Sequence, residues 1–464
     1  MKDGNPMIMN KKRKVHLNSS RLIPFSFLAA IVVGGLLLML PISKAGEGSA
    51  DFTTAFFTST TSVCVTGLVV VDTFAYWTLF GKIVILILIQ IGGLGVIAIS
   101  SILILMLHKK FSLSQSLLVQ DAFNLSTPSG VLHFLLVVFK GTFIVEMLGA
   151  GLYMFSFIPQ YGAKGIWYSI FNSISAFCNA GIDILGPDSL ISYQNDPYVL
   201  FVTMFLIVMG GLGYVVWLDV FRTVRHGIRR KYSFLTTIKR MGEHSKLVLT
   251  LTFSLIILGA VVVFCLEYNN PGTLGEMSFG DKVTNSLFQS VTFRTAGFAS
   301  VPQDALREST SFFGCILMFI GGSPVGTAGG VKTVTVFVML LNAVSFIRRR
   351  KENVVFGRKV TMDMMHKATA IVMVGVLVTS FLLVILMIVS KAGLTDAMYE
   401  TFSATATVGL SRSLTPNLNV AGRWVIILAM YLGRIGPISM ALLFNYKTDD
   451  KNAISYAKGK FFIG

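Results

Sequence analysis

The sequence predicts an all-α polytopic membrane protein with eight spanning helices, arranged as four concatenated repeats around one central axis. Three observations predict it. The 464 residues are 53% hydrophobic and only 13% charged, with a mean hydropathy of +0.72, too little polar surface for a water-soluble domain. Four short glycine segments, Val65-Thr66-Gly67, Asn179-Ala180-Gly181, Thr295-Ala296-Gly297 and Thr407-Val408-Gly409, recur at intervals of 114, 116 and 112 residues, the signature of an internal repeat. Each follows an apolar stretch too short to cross a bilayer, between stretches long enough to do so.

The elements follow from that alternation. The first repeat, 22–107, reads as a spanning helix Leu22 to Ile42, a half-crossing helix Ala50 to Ser62, a loop Val63 to Asp72 and a closing helix Thr78 to Leu107. The second, 130–221, reads Gly130 to Phe157, Gly165 to Phe177, Cys178 to Gly186 and Pro197 to Phe221. The third, 246–347, reads Lys246 to Leu266, Gly280 to Val291, Thr292 to Ser300 and Thr310 to Ile347. The fourth, 366–444, reads His366 to Val389, Leu394 to Thr405, Ala406 to Arg412 and Gly422 to Phe444. Segments 1–21 and 445–464 are expected to be a cytoplasmic N-terminal segment and tail. Although Lys11 to Lys14 precede an apolar run, Leu22 to Ile42 is long enough to span and lacks a small-residue cleavage site, so it is expected to stay.

The half-crossing helices share an aromatic beside small or polar residues: Phe56-Phe57-Thr58-Ser59, Ile170-Phe171-Asn172-Ser173, Leu287-Phe288-Gln289-Ser290 and Met398-Tyr399-Glu400-Thr401. Irregular backbone at membrane depth survives only where it is buried or lines water. The four loops are therefore expected around a cavity, and mere hairpin turns are the weaker reading. Each half-helix would direct its partially negative C-terminus at that centre, which favours a cation. Glycine lets neighbouring carbonyls face one way, and four such loops can replace a cation's water shell. One glycine per loop, against two in the Thr-Val-Gly-Tyr-Gly pattern, implies a short filter. No acidic ring stands at one repeat position, which argues against a divalent-selective pore. Asp72 and Asp183, just after two of the loops, are expected to brace them.

The net charge of +17 is not read as a nucleic-acid footprint. Basic residues concentrate in the connections away from the glycine loops and in the terminal segments, whereas the loop flanks carry more acidic than basic residues. The positive-inside rule then places the loops outside and both termini in the cytoplasm of a multi-pass cell-membrane protein. Arg222 to Lys231 and Arg348 to Lys351 are mostly topological on this reading. Cys64, Cys178, Cys265 and Cys315 lack metal-ligand spacing and are expected as reduced packers. Gly93-Leu94-Gly95 with Ala98 mimics a dinucleotide fingerprint, but it lies in a spanning helix, where close helix packing explains it. Gly326 to Thr333 fails the phosphate-loop order at Val331. The histidines form no His-Glu-x-x-His cluster, so an enzyme is not expected. A four-domain voltage-gated cation channel would fit the repeat count, but no helix carries arginine at every third position, which argues against it. Lys140 and Glu146 are expected to bridge internally, and Arg294 to point into the protein and brace its loop.

At these residues the chain resembles the Trk/Ktr/HKT superfamily of potassium transporters, across essentially all of the folded chain. With one spanning helix before the first loop, it is most similar to the bacterial Ktr membrane-subunit branch (KtrB and KtrD). The resemblance implies potassium uptake through a selectivity filter of Val65, Thr66, Gly67, Asn179, Ala180, Gly181, Thr295, Ala296, Gly297, Thr407, Val408 and Gly409, with K+ held at the four glycines. Some plant relatives carry serine at the first glycine and favour sodium, so intact Gly67 implies a potassium preference. The alternative is a non-selective or sodium-conducting four-repeat cation channel. The glycine-rich stretch Gly321 to Gly330, too rich in glycine to stay helical, corresponds to the family's intramembrane gate. The implied gate residues are Gly321, Gly322, Ser323, Gly326, Gly329, Gly330, Lys332 and Arg434; for Lys332, gating and snorkelling are equally good readings. A guanidinium at Arg434 is costly facing lipid and should face a wet pore or pair internally. No cofactor is implied beyond K+ as the transported ion and Na+ as a candidate activator. The implied partners are a second copy, making a homodimer, and a cytosolic nucleotide-binding ring of the KtrA/KtrC type. No nucleotide-binding fold is legible in the chain itself.

Overall fold

A computed structural model describes residues 19–95, 131–350 and 352–436. The expected continuation of the first closing helix to Leu107, Ala98, Lys351, the last helix beyond 436 and the segment 445–464 lie outside the described residues.

The architecture is helical, with one two-stranded hairpin, β1 (Val354–Val355) and β2 (Arg358–Lys359). The chain runs through α1 (Ser19–Leu38), α2 (Phe52–Cys64), α3 (Thr73–Tyr76), α4 (Leu79–Leu94), α5 (Val131–Tyr161), α6 (Lys164–Cys178), α7 (Pro197–Gly211) and α8 (Tyr214–Arg230). It continues through α9 (Phe234–Lys239), α10 (Glu243–Glu267), α11 (Phe279–Thr292), α12 (Glu308–Phe319), α13 (Thr333–Ile347), α14 (Met362–Ser390), α15 (Leu394–Thr405) and α16 (Val420–Ile435).

Four of these, α2, α6, α11 and α15, are the short helices expected, each within two residues of its predicted bounds. Local chemistry starts two of them. Asp51 accepts the Thr53 and Thr54 amides at 3.1 and 3.3 Å, and Ser278 with Asp281 closes a reciprocal cap at α11. All four are buried. The repeated aromatic, Phe57, Phe171, Phe288 and Tyr399, is 0% exposed in every case. Serine hydroxyls stitch three of them to the preceding long helix: Ser59 to the Ile31 carbonyl (2.7 Å), Ser173 to Glu146 (2.6 Å) and Ser290 to Ile256 (2.7 Å). In α15, Thr401 instead turns back on its own helix at the Ala397 carbonyl.

The long helices carry their apolar side chains outward, as Leu148, Phe155, Ile257, Leu377 and Ile388 do. Outward apolar surface of that extent fits a lipid environment. Among the described residues, three single helices are long and apolar enough to cross a membrane: α5 (from His133), α10 and α14. The helices α1 (from Pro24), α4, α12 and α13 are shorter apolar helices.

The second closing helix departs from the expectation of one continuous span, Pro197 to Phe221. It breaks at Leu212-Gly213, and α7 and α8 meet at 100°. Gly213 has φ 88°, a backbone that side chains with a Cβ avoid. Gly95 and Gly436 end α4 and α16 at φ 88° and 85°. The sequence Gly92-Gly93-Leu94-Gly95 is thus a packing surface followed by a stop. A Cβ on Gly92 would strike the Val63 carbonyl, and one on Gly93 would lie 2.5 Å from Cys178 Sγ.

Candidate ion-coordinating ring and the loop beneath it

Each buried short helix ends with the same reversal of backbone hand. The residue two before the glycine is left-handed in all four loops: Val65 (φ 55°), Asn179 (60°), Thr295 (69°) and Thr407 (52°). The glycines follow at φ 101°, 62°, 86° and 99° for Gly67, Gly181, Gly297 and Gly409. A left-handed valine or threonine is unfavourable by about 1–2 kcal/mol, so specific bonds must hold it. Three loops close by the six-to-one bond of a helix C-terminus: Thr66 N to Thr61 O, Ala180 N to Ser175 O and Val408 N to Ser403 O, each 2.8 Å. The third is one residue shorter and closes from Ala296 N to Thr292 O at 3.1 Å.

Hydroxyl clamps complete the loops, and sequence reasoning missed them. Thr61 Oγ1 accepts the Gly67 amide (2.9 Å), and Ser403 Oγ accepts that of Gly409 (3.0 Å). Ser175 Oγ accepts from Ile182 N (3.1 Å) and donates to Ile182 O (2.5 Å), while Thr292 Oγ1 donates to Phe298 O (2.6 Å). The signal was available: a hydroxyl residue stands six positions before the glycine in three loops and five before it in the third.

The four loops meet in a cycle. A Cβ placed on Gly67 would lie 2.6 Å from the Ala180 carbonyl oxygen, and one on Gly181 2.6 Å from that of Ala296. One on Gly297 would lie 2.5 Å from the Val408 oxygen, and one on Gly409 would strike Thr66 O. Each glycine thus faces the carbonyl preceding the next glycine, and the fourth loop returns to the first. The structure brings the four glycines and the residues before them, Thr66, Ala180, Ala296 and Val408, into one ring, with left-handed Val65, Asn179, Thr295 and Thr407 leading into it. Asp72 and Asp183 brace adjoining turns, accepting from Phe74 N (2.8 Å) and Leu185 N (3.2 Å).

The glycine-rich segment between α12 and α13 lies against this ring. It is ordered by backbone bonds: Gly321 N to Val331 O (3.0 Å), Val331 N to Phe319 O (3.1 Å), Ser323 N to Gly211 O (3.0 Å), Thr327 N to Gly210 O (3.2 Å) and Tyr214 N to Val325 O (2.9 Å). The stretch is non-helical, as its glycine content predicts, and the α7–α8 break supplies the partners that a continuous helix would have kept for itself. Thr327 Oγ1 contacts Asn179 Oδ1 and Phe177 O, each at 3.2 Å. A Cβ on Gly329 would lie 2.7 Å from the Ala406 carbonyl. Arg434 donates to Thr327 O (2.7 Å) and Gly92 O (2.5 Å), joining the segment to the first closing helix. Lys332 donates to Ala328 O at 2.7 Å. Gly326 lies against the Gly210 carbonyl and Gly213, and Gly330 against Gly321.

Other sequence candidates resolve differently. Glu146 is 2% exposed and accepts from Gln90 Nε2 at 3.1 Å, whereas Lys140 is exposed and neither enters an ion pair among the described residues. Glu146 therefore makes the expected bridge to another helix, α4, through an amide, while Lys140 enters no ion pair among the described residues. The four cysteines are free, and only Cys265 is exposed. Among the described residues no cluster of His, Cys, Asp and Glu could hold a metal.

Comparison with known proteins identifies the family. The sequence profile described as "TrkH: Cation transport protein" matches residues 19–456. The Ktr system potassium uptake protein B of Bacillus subtilis is 39% identical over 451 residues, spanning 97% of this chain and 98% of that protein. The potassium/sodium uptake protein NtpJ of Enterococcus hirae is 35% identical, over 98% of this chain and 100% of its own length. The crystal structure of the potassium transporter TrkH from Vibrio parahaemolyticus superposes with a TM-score of 0.74 at 16% identity, covering 94% of this chain and 87% of that one. With a family profile along nearly the whole chain and relatives of this identity at full length, the chain belongs to the TrkH family of cation transport proteins, multi-pass membrane transporters rather than enzymes.

Proposed function

We propose that the chain is the membrane subunit of a potassium-uptake system and passes K+ through the ring of Gly67, Gly181, Gly297 and Gly409. The observation that carries this reading is the closed cycle in which each glycine faces its neighbour's carbonyl. A ring of backbone oxygens can stand in for the hydration shell of a monovalent cation. The relatives named above, described as potassium or potassium/sodium uptake proteins, support K+ as cargo and keep Na+ in view as a second ion.

On this reading the segments 22–107, 130–221, 246–347 and 366–444 are four pore repeats with eight crossings. The shorter helices α1, α4, α12 and α13 contribute crossings through neighbouring irregular backbone. Gly321 to Gly330 is the gate and Arg434 its latch, two copies associate, both termini are cytoplasmic, and a separate nucleotide-binding ring regulates the pore. The name of the Bacillus relative, a component of a Ktr system, supports a multi-subunit assembly.

The test is Gly67→Ser. Its added Cβ would stand 2.6 Å from the Ala180 oxygen at φ 101°, so the ring must distort. In cells lacking their own potassium uptake, the rubidium-86 to sodium-22 uptake ratio should fall about tenfold, a change of about 1.4 kcal/mol in relative barrier. An unchanged ratio at normal expression would move the filter elsewhere.

A further inference from the structure

Three residues before their glycines, the loops carry Cys64, Cys178, Arg294 and Ala406. Three are small buried side chains; the fourth is a guanidinium only 7% exposed. Arg294 enters no ion pair among the described residues. Its Nη2 reaches the Gly321 carbonyl at 3.5 Å, the limit of a hydrogen bond, and its Nε has no partner among the described residues. A buried, uncompensated charge is among the costliest features a protein interior can carry.

Arg294 lines a small cavity together with two other polar side chains. Asn179 comes from the second loop and Thr252 from α10. Asn179 Nδ2 and Thr252 Oγ1 are buried without partners, at residues 1% and 3% exposed. The Asn179 amide oxygen is engaged by Thr327 Oγ1, which leaves its NH2 to serve the cavity. The remaining wall is Ile207, Val208, Ile256 and Val291, with the backbone of Gly211 and Gly322; the Gly211 and Gly322 carbonyls are already engaged by the Ser323 and Thr333 amides. Three elements therefore bring unpartnered groups able to donate, one of them charged, to the lining of a space of single-water size.

We propose that this cavity binds one small monovalent anion, chloride, as the counterion of Arg294. A water molecule would accept two of the bonds but bring two donors of its own and leave the guanidinium charge uncompensated. A halide accepts from all three groups and cancels the charge. Sulfate and phosphate exceed the space. The bound halide removes a positive charge that would otherwise stand three residues from Gly297, so cation occupancy of the ring becomes coupled to the anion.

The test is made on binding, so it stands apart from whether the ring conducts. Full-length protein in detergent, at fixed potassium concentration and ionic strength, is titrated from gluconate into chloride or bromide while thermal unfolding is followed. The Tm should rise saturably with either halide and not with sulfate. Crystals grown in bromide should show an anomalous peak between Arg294 and Asn179. Thr252→Val removes one donor at constant shape and should weaken the halide response about tenfold; Arg294→Met should abolish it. If Arg294→Met does not fold, Thr252→Val decides. A wild-type Tm indifferent to halide, no bromide peak, or a Thr252→Val response equal to wild type would each overturn the proposal and leave an ordered water as the occupant.

Discussion

A left-handed residue with a Cβ is an expensive way to end a helix, and all four loops use one two positions before the glycine: Val65, Asn179, Thr295 and Thr407. The hydroxyl clamps explain how the reversal persists. Removing Thr61 Oγ1 leaves the buried Gly67 amide without its acceptor, a cost of about 1–3 kcal/mol. Thr61→Val keeps the shape and removes the acceptor. It should lower the Tm by a few degrees and, on the proposed function, reduce rubidium over sodium uptake, whereas Thr60→Val, whose hydroxyl bonds only within α2 at Phe56 O, should leave the ratio alone. Equal ratios in the two variants would separate the clamp from selectivity. At this scale the glycines were legible from their period, because a backbone requirement restricts residue type strongly. The clamps were not, because Ser and Thr in a short helix are equally read as back-bonded to their own turn.

Helix bounds were legible where composition changes with structure. The buried short helices differ from their neighbours in length and small-residue content, and predicted and observed limits agree within two residues. Direction was less legible. Apolar content continues from α7 into α8, so hydropathy reported one span where the chain turns by 100°. The cause is Gly213, which a reading based on burial cannot distinguish from a packing glycine. That turn frees the Gly210 and Gly211 carbonyls and the Tyr214 amide to hold the segment from Gly321 to Gly330. The segment is therefore held by backbone bonds and by Arg434, and opening it requires breaking both. Arg434→Ala removes the bonds to Thr327 and Gly92 together with a charge near the path. On the gate reading it should raise basal rubidium uptake several-fold, and deletion of residues 321–330 should raise it further with the wild-type rubidium preference kept. Basal uptake unchanged in a folded deletion variant would place the gate in another element.

At the scale of the whole molecule, two clusters of exposed basic residues stand out among the described residues. After the α7–α8 turn, Arg222, Arg225, Arg229 and Arg230 are exposed beside exposed Phe221 and Ile228, which suits an interfacial helix whose basic face meets anionic lipid. The other basic cluster is placed differently. Arg348, Arg349 and Arg350 follow α13 directly, are all exposed, and enter no ion pair among the described residues. Because α13 begins where the glycine-rich segment ends, a partner docked on these arginines would pull on that segment through one helix. On the proposed function, that mechanical continuity, rather than charge alone, makes them the expected contact for a regulatory ring. Replacing all three by Gln should weaken co-purification with a cytosolic nucleotide-binding ring protein about tenfold at low salt. The difference should shrink near physiological ionic strength, where the screening length is about 8 Å. Nucleotide-dependent rubidium uptake should fall in parallel, while uptake without the ring protein stays as in wild type. A triple variant that binds equally at low salt and keeps its nucleotide response would make these arginines topological charges, and would move the docking surface to α8 or the hairpin at 354–359.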